Sequence, residues 1–276
     1  MENLFGRVAV VTGGGDGIGR GIAHALARAG VKVAVCDIDI QAAERVALEL
    51  RLSGRESHAY SVNVANAESM FALSQQVEEQ MGPVTILCNN AGVMLAGSIV
   101  DASKSDWDWI FDVNLYGVIN GVNAFVPCIK KNGGGHIVNT ASMAGLTLPL
   151  QPSSGIYSSS KAAVVSYSEN LSSELTGDGI DVSVLCPSRV NTRIWEANRN
   201  RPESYGQGNA VTKPEEAVDD IDGMDVGPIV VRSILQSRFY IFTGDDVRAR
   251  IEKKNEQLMR DIKLHEDDLE PGSVWH

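Results

Sequence analysis

Four apolar residues, Val8-Ala9-Val10-Val11, run without a break into Gly13-Gly14-Gly15-Asp16-Gly17-Ile18-Gly19. A short, unbroken, β-branched run is the pattern of a parallel strand buried on both faces. Helical periodicity follows from Gly17 to Ala29 and closes at Gly30, a residue suited to the left-handed turn that ends helices. A second apolar run, Val31 to Cys36, comes directly after and ends at Asp37. Strand, glycine turn, helix and strand make a βαβ unit, which commits the chain to parallel strands with helices packed on the sheet.

The alternation continues. Helices are expected at about 41–52, 68–81, 105–131 and 157–175, and strands at 57–62, 84–88, 135–140 and 180–186. A helix at 227–238 and a strand at 239–242 resume the pattern after an irregular stretch. That regularity predicts an α/β fold, a Rossmann-like doubly wound parallel sheet in a single domain spanning residues 1–244. The stretch 188–223 is rich in Asn, Arg, Pro and Gly and too long for an ordinary connector, so it reads as a substrate lid. Residues 245–276 read as a charged helical tail with an acidic end.

Charge narrows the partners. With 24 basic and 35 acidic residues the net charge is −11, which disfavours nucleic acid and anionic membrane. No stretch reaches the roughly 18 apolar residues of a membrane span, and the first residues lack a charged leader pattern, so a cytoplasmic protein is expected. Cys36, Cys88, Cys128 and Cys186 stand singly, with neither zinc nor disulfide spacing, and are expected to be buried free thiols. No metal site is expected.

From Gly13 the glycine spacing is G-x-x-x-G-x-G, which departs from the literal G-x-G-x-x-G fingerprint. Its setting between a buried strand and a helix is nevertheless the one that brings backbone close to a pyrophosphate. Gly13, Gly15, Gly17, Ile18 and Gly19 are the candidate contacts. The competing reading is a tight turn without a ligand. Against it stands Asp37, 20 positions beyond Gly17 at the end of the second strand, where ribose hydroxyls are held. A carboxylate there would repel a 2′-phosphate, and neither Asp16 nor Ile38 supplies a cation to offset it, so NAD is expected rather than NADP.

Tyr157 and Lys161 stand four residues apart in a helical stretch and so share one face. Lowering a phenol from its usual pKa of about 10 to about 7 takes roughly 4 kcal/mol. One positive charge about 4 Å away supplies that much at an effective dielectric near 20. The pair is thus a candidate for proton transfer, although the same spacing also arises on ordinary surface helices.

Together these residues resemble the short-chain dehydrogenase/reductase family. The resemblance rests on Thr12-Gly13-x-x-x-Gly17-Ile18-Gly19, Asn89-Asn90-Ala91-Gly92, Asn114, Ser142 and Tyr157-x-x-x-Lys161, in that order along the chain. It implies hydride exchange between nicotinamide and a small alcohol or ketone, with Tyr157 as general acid/base and Ser142 bonding the substrate oxygen. Lys161 would lower the tyrosine pKa and bind the nicotinamide ribose, and Asn114 would hold a water leading to Lys161. Asn90, Ala91 and Gly92 would lie near the adenosine ribose, and Val190 and Thr192 near the carboxamide. Asn63-Val64 stands where the family has Asp-Val, and adenine contact stays feasible because an amide both donates and accepts. Ser188 replaces a glycine of the pattern, which puts the local turn in question if that glycine has a positive φ.

A narrower resemblance, in 108–121, 201–206 and 240–260, is to bacterial dehydrogenases of benzylic alcohols in β-aryl ethers. Val93 and Met94, the stretch Met143 to Leu150 with Met143 and Leu148, and Ile194 and Trp195 in the lid are the expected substrate contacts, implying an apolar aromatic or alicyclic substrate. For Trp195, packing within the loop is an equal reading. Membership also implies a homodimer or homotetramer paired through the helices of Asn114 and Tyr157, covering Ala162, Ala163 and Val164. Two other functions fit the same motifs, a 3-oxoacyl-thioester reductase and a non-catalytic dinucleotide-binding regulator. Asp37 and the acidic balance speak against the first, and the presence of all four catalytic side chains against the second.

Overall fold

The computed structural model describes residues 3–149, 154–206 and 221–268. Expectations for Leu150, for 207–220 of the lid and for 269–276 of the tail lie outside the described residues.

The βαβ unit forms as β1 (Val8–Thr12), α1 (Gly17–Arg28) and β2 (Lys32–Asp37). There follow α2 (Ile40–Leu52), β3 (Ser57–Ser61), α3 (Ala67–Met81) and β4 (Val84–Asn89). The second half holds α4 (Lys104–Phe111), α5 (Gly117–Lys131), β5 (Gly135–Thr140), a short α6 (Met143–Leu146), α7 (Gly155–Leu175) and β6 (Ile180–Cys186). A two-residue ribbon pairs β7 (Val190–Asn191) with β8 (Ile221–Asp222), and α8 (Gly223–Leu235), β9 (Tyr240–Phe242) and α9 (Val247–Asp268) complete the described chain.

The main sheet has seven strands in the order β3-β2-β1-β4-β5-β6-β9, every pairing parallel. Residues alternate across it. Ala9 and Val11 pack with Ile22, Leu26, Val46, Val230 and Ile234 on the face covered by α1, α2 and α8. Val8 and Val10 meet Met70, Val77, Phe125, Ile129 and Leu171 on the face covered by α3, α5 and α7. Both faces are therefore dry, which is why β1 could be an unbroken apolar run. Strand order reverses between β1 and β4, and in doubly wound sheets the ligand crevice opens at that switch point, outside the carboxyl ends of the strands.

Three expectations change. The single helix expected at 105–131 is interrupted by one π-helical turn, Asp112–Tyr116, whose wider hydrogen bonding displaces the side chains within it. The helix expected from Gly227 starts at Gly223, because the Asp222 side chain accepts a hydrogen bond from Met224 N at 2.8 Å and caps it. The lid stretch is not irregular throughout, since Arg193–Asn200 and Glu203–Tyr205 form 3-10 helices.

Candidate active site

At the switch point the glycine turn is packed too closely for side chains. A Cβ on Gly19 would lie 2.0 Å from the Gly13 carbonyl oxygen, and one on Gly15 would lie 2.9 Å from the Asp37 carboxylate. Asp37 Oδ2 accepts from Gly15 N at 3.0 Å and Oδ1 from Asp39 N at 3.1 Å. Burial raises the Asp37 pKa, and these backbone donors pull it the other way. The end of β4 is tied to the turn by Thr12, whose Oγ1 accepts from Asn90 N at 3.0 Å and Ala91 N at 3.2 Å. Asn90 Nδ2 donates to the Thr12 and Gly13 carbonyls at 3.1 and 3.2 Å, so its amide braces the turn itself.

One cleft of about 240 Å³ runs across this edge. At one end lie Gly13, Gly17, Ile18 and Asp37, beside Asn63 and Val64 from the loop after β3. In the middle are Asn90, Ala91 and Gly92, and at the other end Ser142, Tyr157 and Lys161, with Val190, Thr192 and Ile194 above them. Gly15, Gly19 and Asn114 stand behind this lining. Asn63 Oδ1 accepts from Ala65 N at 3.1 Å, which leaves its amide nitrogen unspent by that bond.

Ser142 follows β5 and caps α6, its Oγ accepting from Ala144 N at 3.1 Å. The Tyr157 phenol hydrogen-bonds the Ser142 side chain. Lys161 is buried, its Nζ donating to Thr140 O at 2.8 Å and standing 5.8 Å from the centroid of the Tyr157 ring. Burial pushes the Tyr157 phenol up to about 12, against the pull of its Ser142 bond, and pushes Lys161 down to about 8. The downward shift expected for Tyr157 is therefore corrected, because the ammonium is turned to the Thr140 carbonyl and burial dominates.

Asn114 is fully buried in the π-helical turn. Its Oδ1 accepts from Val93 N at 2.8 Å, and its Nδ2 donates to Val93 O at 3.0 Å and Ser160 Oγ at 3.0 Å. The side chain thus joins the π-helical turn, the loop after β4 and α7, with Lys161 next in sequence to Ser160. A Cβ on Gly92 would lie 3.3 Å from both Asn114 Oδ1 and Lys161 Nζ.

Of the expected substrate contacts, Val93 and Ile194 line the cleft, while Met94, Met143, Leu148 and Trp195 do not. Met94 is buried beside Val93, and it is Val93 that lines the cleft. Met143 packs into the core with Val164, Val184 and Cys186, and half-buried Leu148 points elsewhere. From the lid Arg193, Ile194, Ala197, Arg199 and Asn200 line the cleft, and Trp195 does not. The lining instead includes Trp109, Val113, Pro202 and Tyr205, which sequence reasoning missed. The turn at Ser188 is also unstrained, since Ser237 is the only non-glycine with positive φ among the described residues. Ser188 Oγ donates to Asp246 Oδ1 at 2.7 Å and so ties α9 to the cleft floor. Of the residues expected at a subunit contact, Val164 is fully buried within the chain, while Ala162 is exposed and Ala163 half-buried. The four cysteines are free, three of them buried. Among the described residues no metal-ligating cluster occurs and no helix is long and apolar enough to cross a membrane.

A parallel sheet that reverses at β1 and β4 and opens its cleft there places the protein in the Rossmann-like class. Within that class the chain belongs to the short chain dehydrogenase family of oxidoreductases, whose pattern its residues 7–203 match. A C alpha-dehydrogenase of Sphingobium sp. is 32% identical over 279 residues, covering 98% of this chain and 91% of the relative. The 1-deoxy-11-beta-hydroxypentalenate dehydrogenase of Streptomyces exfoliatus is 30% identical over 267 residues, covering 95% and 92%. A short chain dehydrogenase/reductase of Burkholderia phymatum, solved in complex with NAD, superimposes with a TM-score of 0.86 at 36% identity, covering 99% of this chain and 100% of that one.

Proposed function

We propose that the protein is an NAD-dependent dehydrogenase that moves hydride between a secondary alcohol, or its ketone, and nicotinamide. The observation that carries this reading is one cleft with Asp37 at one end and the Ser142, Tyr157 and Lys161 side chains at the other. The residues present fit NAD. Each Asp37 oxygen accepts one backbone N–H and keeps capacity for a ribose hydroxyl, and Gly13 and Gly17 of the glycine turn line the cleft beside it, where the backbone at the start of α1 would meet the pyrophosphate. The complex of the Burkholderia phymatum relative with NAD supports the assignment. NAD would supply the nicotinamide carbon that gives or takes hydride.

The chain's own residues do the rest. Ser142 and Tyr157 bond the substrate oxygen, and Tyr157 gives that oxygen a proton in reduction or takes one in oxidation. The half-buried phenol, its pKa raised by desolvation, is a proton donor at neutral pH, so reduction begins from the form already present. Lys161, held by Thr140, binds the nicotinamide ribose and adds positive charge that favours the phenolate. Asn114 positions the Val93 backbone and, through Ser160, the first turns of α7.

The substrate end is apolar, with Val93, Trp109, Val113, Ala197 and Tyr205 on its walls, which favours an aromatic or alicyclic alcohol over a sugar or phosphate ester. The Streptomyces relative is named for a hydroxylated substrate, in keeping with an alcohol. The chain is proposed to work in the cytoplasm as a homodimer or homotetramer, which light scattering would test. A screen of secondary alcohols with NAD and with NADP, read by absorbance of the reduced cofactor, tests the function. Turnover of apolar alcohols with NAD is expected, and an inert protein or an NADP preference would overturn it.

A further inference from the structure

The lid segment Arg193–Tyr205 is held to α4 and to the π-helical turn after it by two bonds outside the catalytic group. Arg201 is almost wholly buried, 3% exposed, and its Nη1 donates to Asp106 Oδ1 at 2.8 Å. Its Nη2 donates to Tyr205 O at 2.6 Å, and the guanidinium lies over the Trp109 ring, 5.0 Å from the centroid. Asp106 cannot swing to follow, because its Oδ2 accepts from Ser103 N and Oγ in the capping box that starts α4. The second bond runs from Tyr205 Oη to Asp112 Oδ2 at 2.8 Å. Asp112 opens the π-helical turn that contains Asn114. Trp109 and Tyr205, the two rings fixed by these bonds, both line the cleft.

Hiding an arginine is costly unless its charge and its fork of donors are matched. Here the Asp106 carboxylate and the Tyr205 carbonyl take one donor from each Nη and the Trp109 ring takes the guanidinium face, while the buried Nε has no hydrogen-bond partner. A surface loop has no need of such an arrangement, and its result is one fixed position for the wall made by Trp109, Ala197 and Tyr205. We propose that Arg201 and Tyr205 are positioning residues that clasp the lid to α4, and that this clasp sets the substrate-ring subsite of the dehydrogenase. The inference rests on the dehydrogenase reading for its kinetic part only.

Arg201→Lys keeps the charge towards Asp106 but loses the fork to Tyr205 O and the planar stack on Trp109. Tyr205→Phe keeps the ring and removes only the hydroxyl. For each variant KM for the best alcohol should rise roughly tenfold while kcat and the NADH dissociation constant change by less than about twofold. Hydrogen–deuterium exchange in peptides spanning 193–205 should quicken in both, with peptides of α1 unchanged. Unaltered exchange would overturn the clasp. So would a KM that stays put, or one that moves in parallel with kcat and NADH affinity, the mark of general destabilisation. If the wild type oxidises no alcohol, the dehydrogenase reading fails and exchange alone decides the clasp.

Discussion

Asp37→Asn should erase the discrimination between NAD and NADP while leaving the fold intact. The replacement preserves shape, and an amide oxygen can still accept from Gly15 N, now 3.0 Å from Asp37 Oδ2. What disappears is the charge, together with the bond from Asp39 N, which the amide nitrogen cannot accept. A 2′-phosphate seated about 4 Å from a carboxylate meets about 4 kcal/mol of repulsion per unit charge at an effective dielectric near 20. Screening over a Debye length of about 8 Å cuts this to about 2.5 kcal/mol. At about 1.4 kcal/mol per tenfold, the wild type should bind NADH roughly 50- to 100-fold more tightly than NADPH. In the variant the ratio should fall to within a few-fold, since the lost charged bonds to ribose also weaken NADH. Titrating tryptophan fluorescence with each reduced cofactor reads both constants, and repeating the wild type near 1 M salt should shrink its preference. Equal affinities in the wild type, or an unchanged ratio in Asp37→Asn, would refute the reasoning.

Two predictions concern protons. Because burial pushes the Tyr157 phenol up to about 12, the tyrosinate absorbance lost in Tyr157→Phe should be absent between pH 6 and 9 and emerge only near that value. A difference that grows in between about pH 6 and 8 would mean that a nearby cation lowers the phenol in the free protein. His136 on β5 is fully buried, its Nε2 2.7 Å from Ser183 Oγ, and burial lowers its pKa to about 4, against the upward pull of Asp181. A base depressed on folding binds fewer protons native than unfolded, so stability is complete above the unfolded value of about 6.5 and falls as pH drops towards about 4. The 2.5-unit gap corresponds to about 3 kcal/mol, and urea midpoints should follow that loss in the wild type but not in His136→Gln. Coinciding pH profiles would contradict it.

Much of the fold was legible because its signals are local. β1 is apolar at every position because helices cover both faces, and α1 begins where Asp16 caps it, so strand, turn and helix could be read from neighbouring residues. The cleft residues at strand ends followed from the same register. Other features depend on partners distant in the chain. The π-helical turn at Asp112–Tyr116 is stabilised where Asn114 bonds Val93 and Ser160, residues 21 and 46 positions away, and no periodicity announces it. Arg201 and Asp106 lie 95 positions apart, so the clasp was invisible in the sequence. The direction of the Tyr157 shift was misjudged for a similar reason. Helix spacing places Lys161 on the right face but does not reveal the Thr140 carbonyl that turns its ammonium away. In the lid, apolar character alone does not tell that Ile194 and not Trp195 meets the cleft.

Tyr157→Phe is the most direct test of the central proposal, because it deletes the transferable proton and keeps the ring. NADH affinity should stay within about twofold of the wild type while kcat for the best secondary alcohol falls by about 10²- to 10⁴-fold. Turnover retained within tenfold, with NADH bound as before, would contradict a mechanism in which this phenol moves the proton.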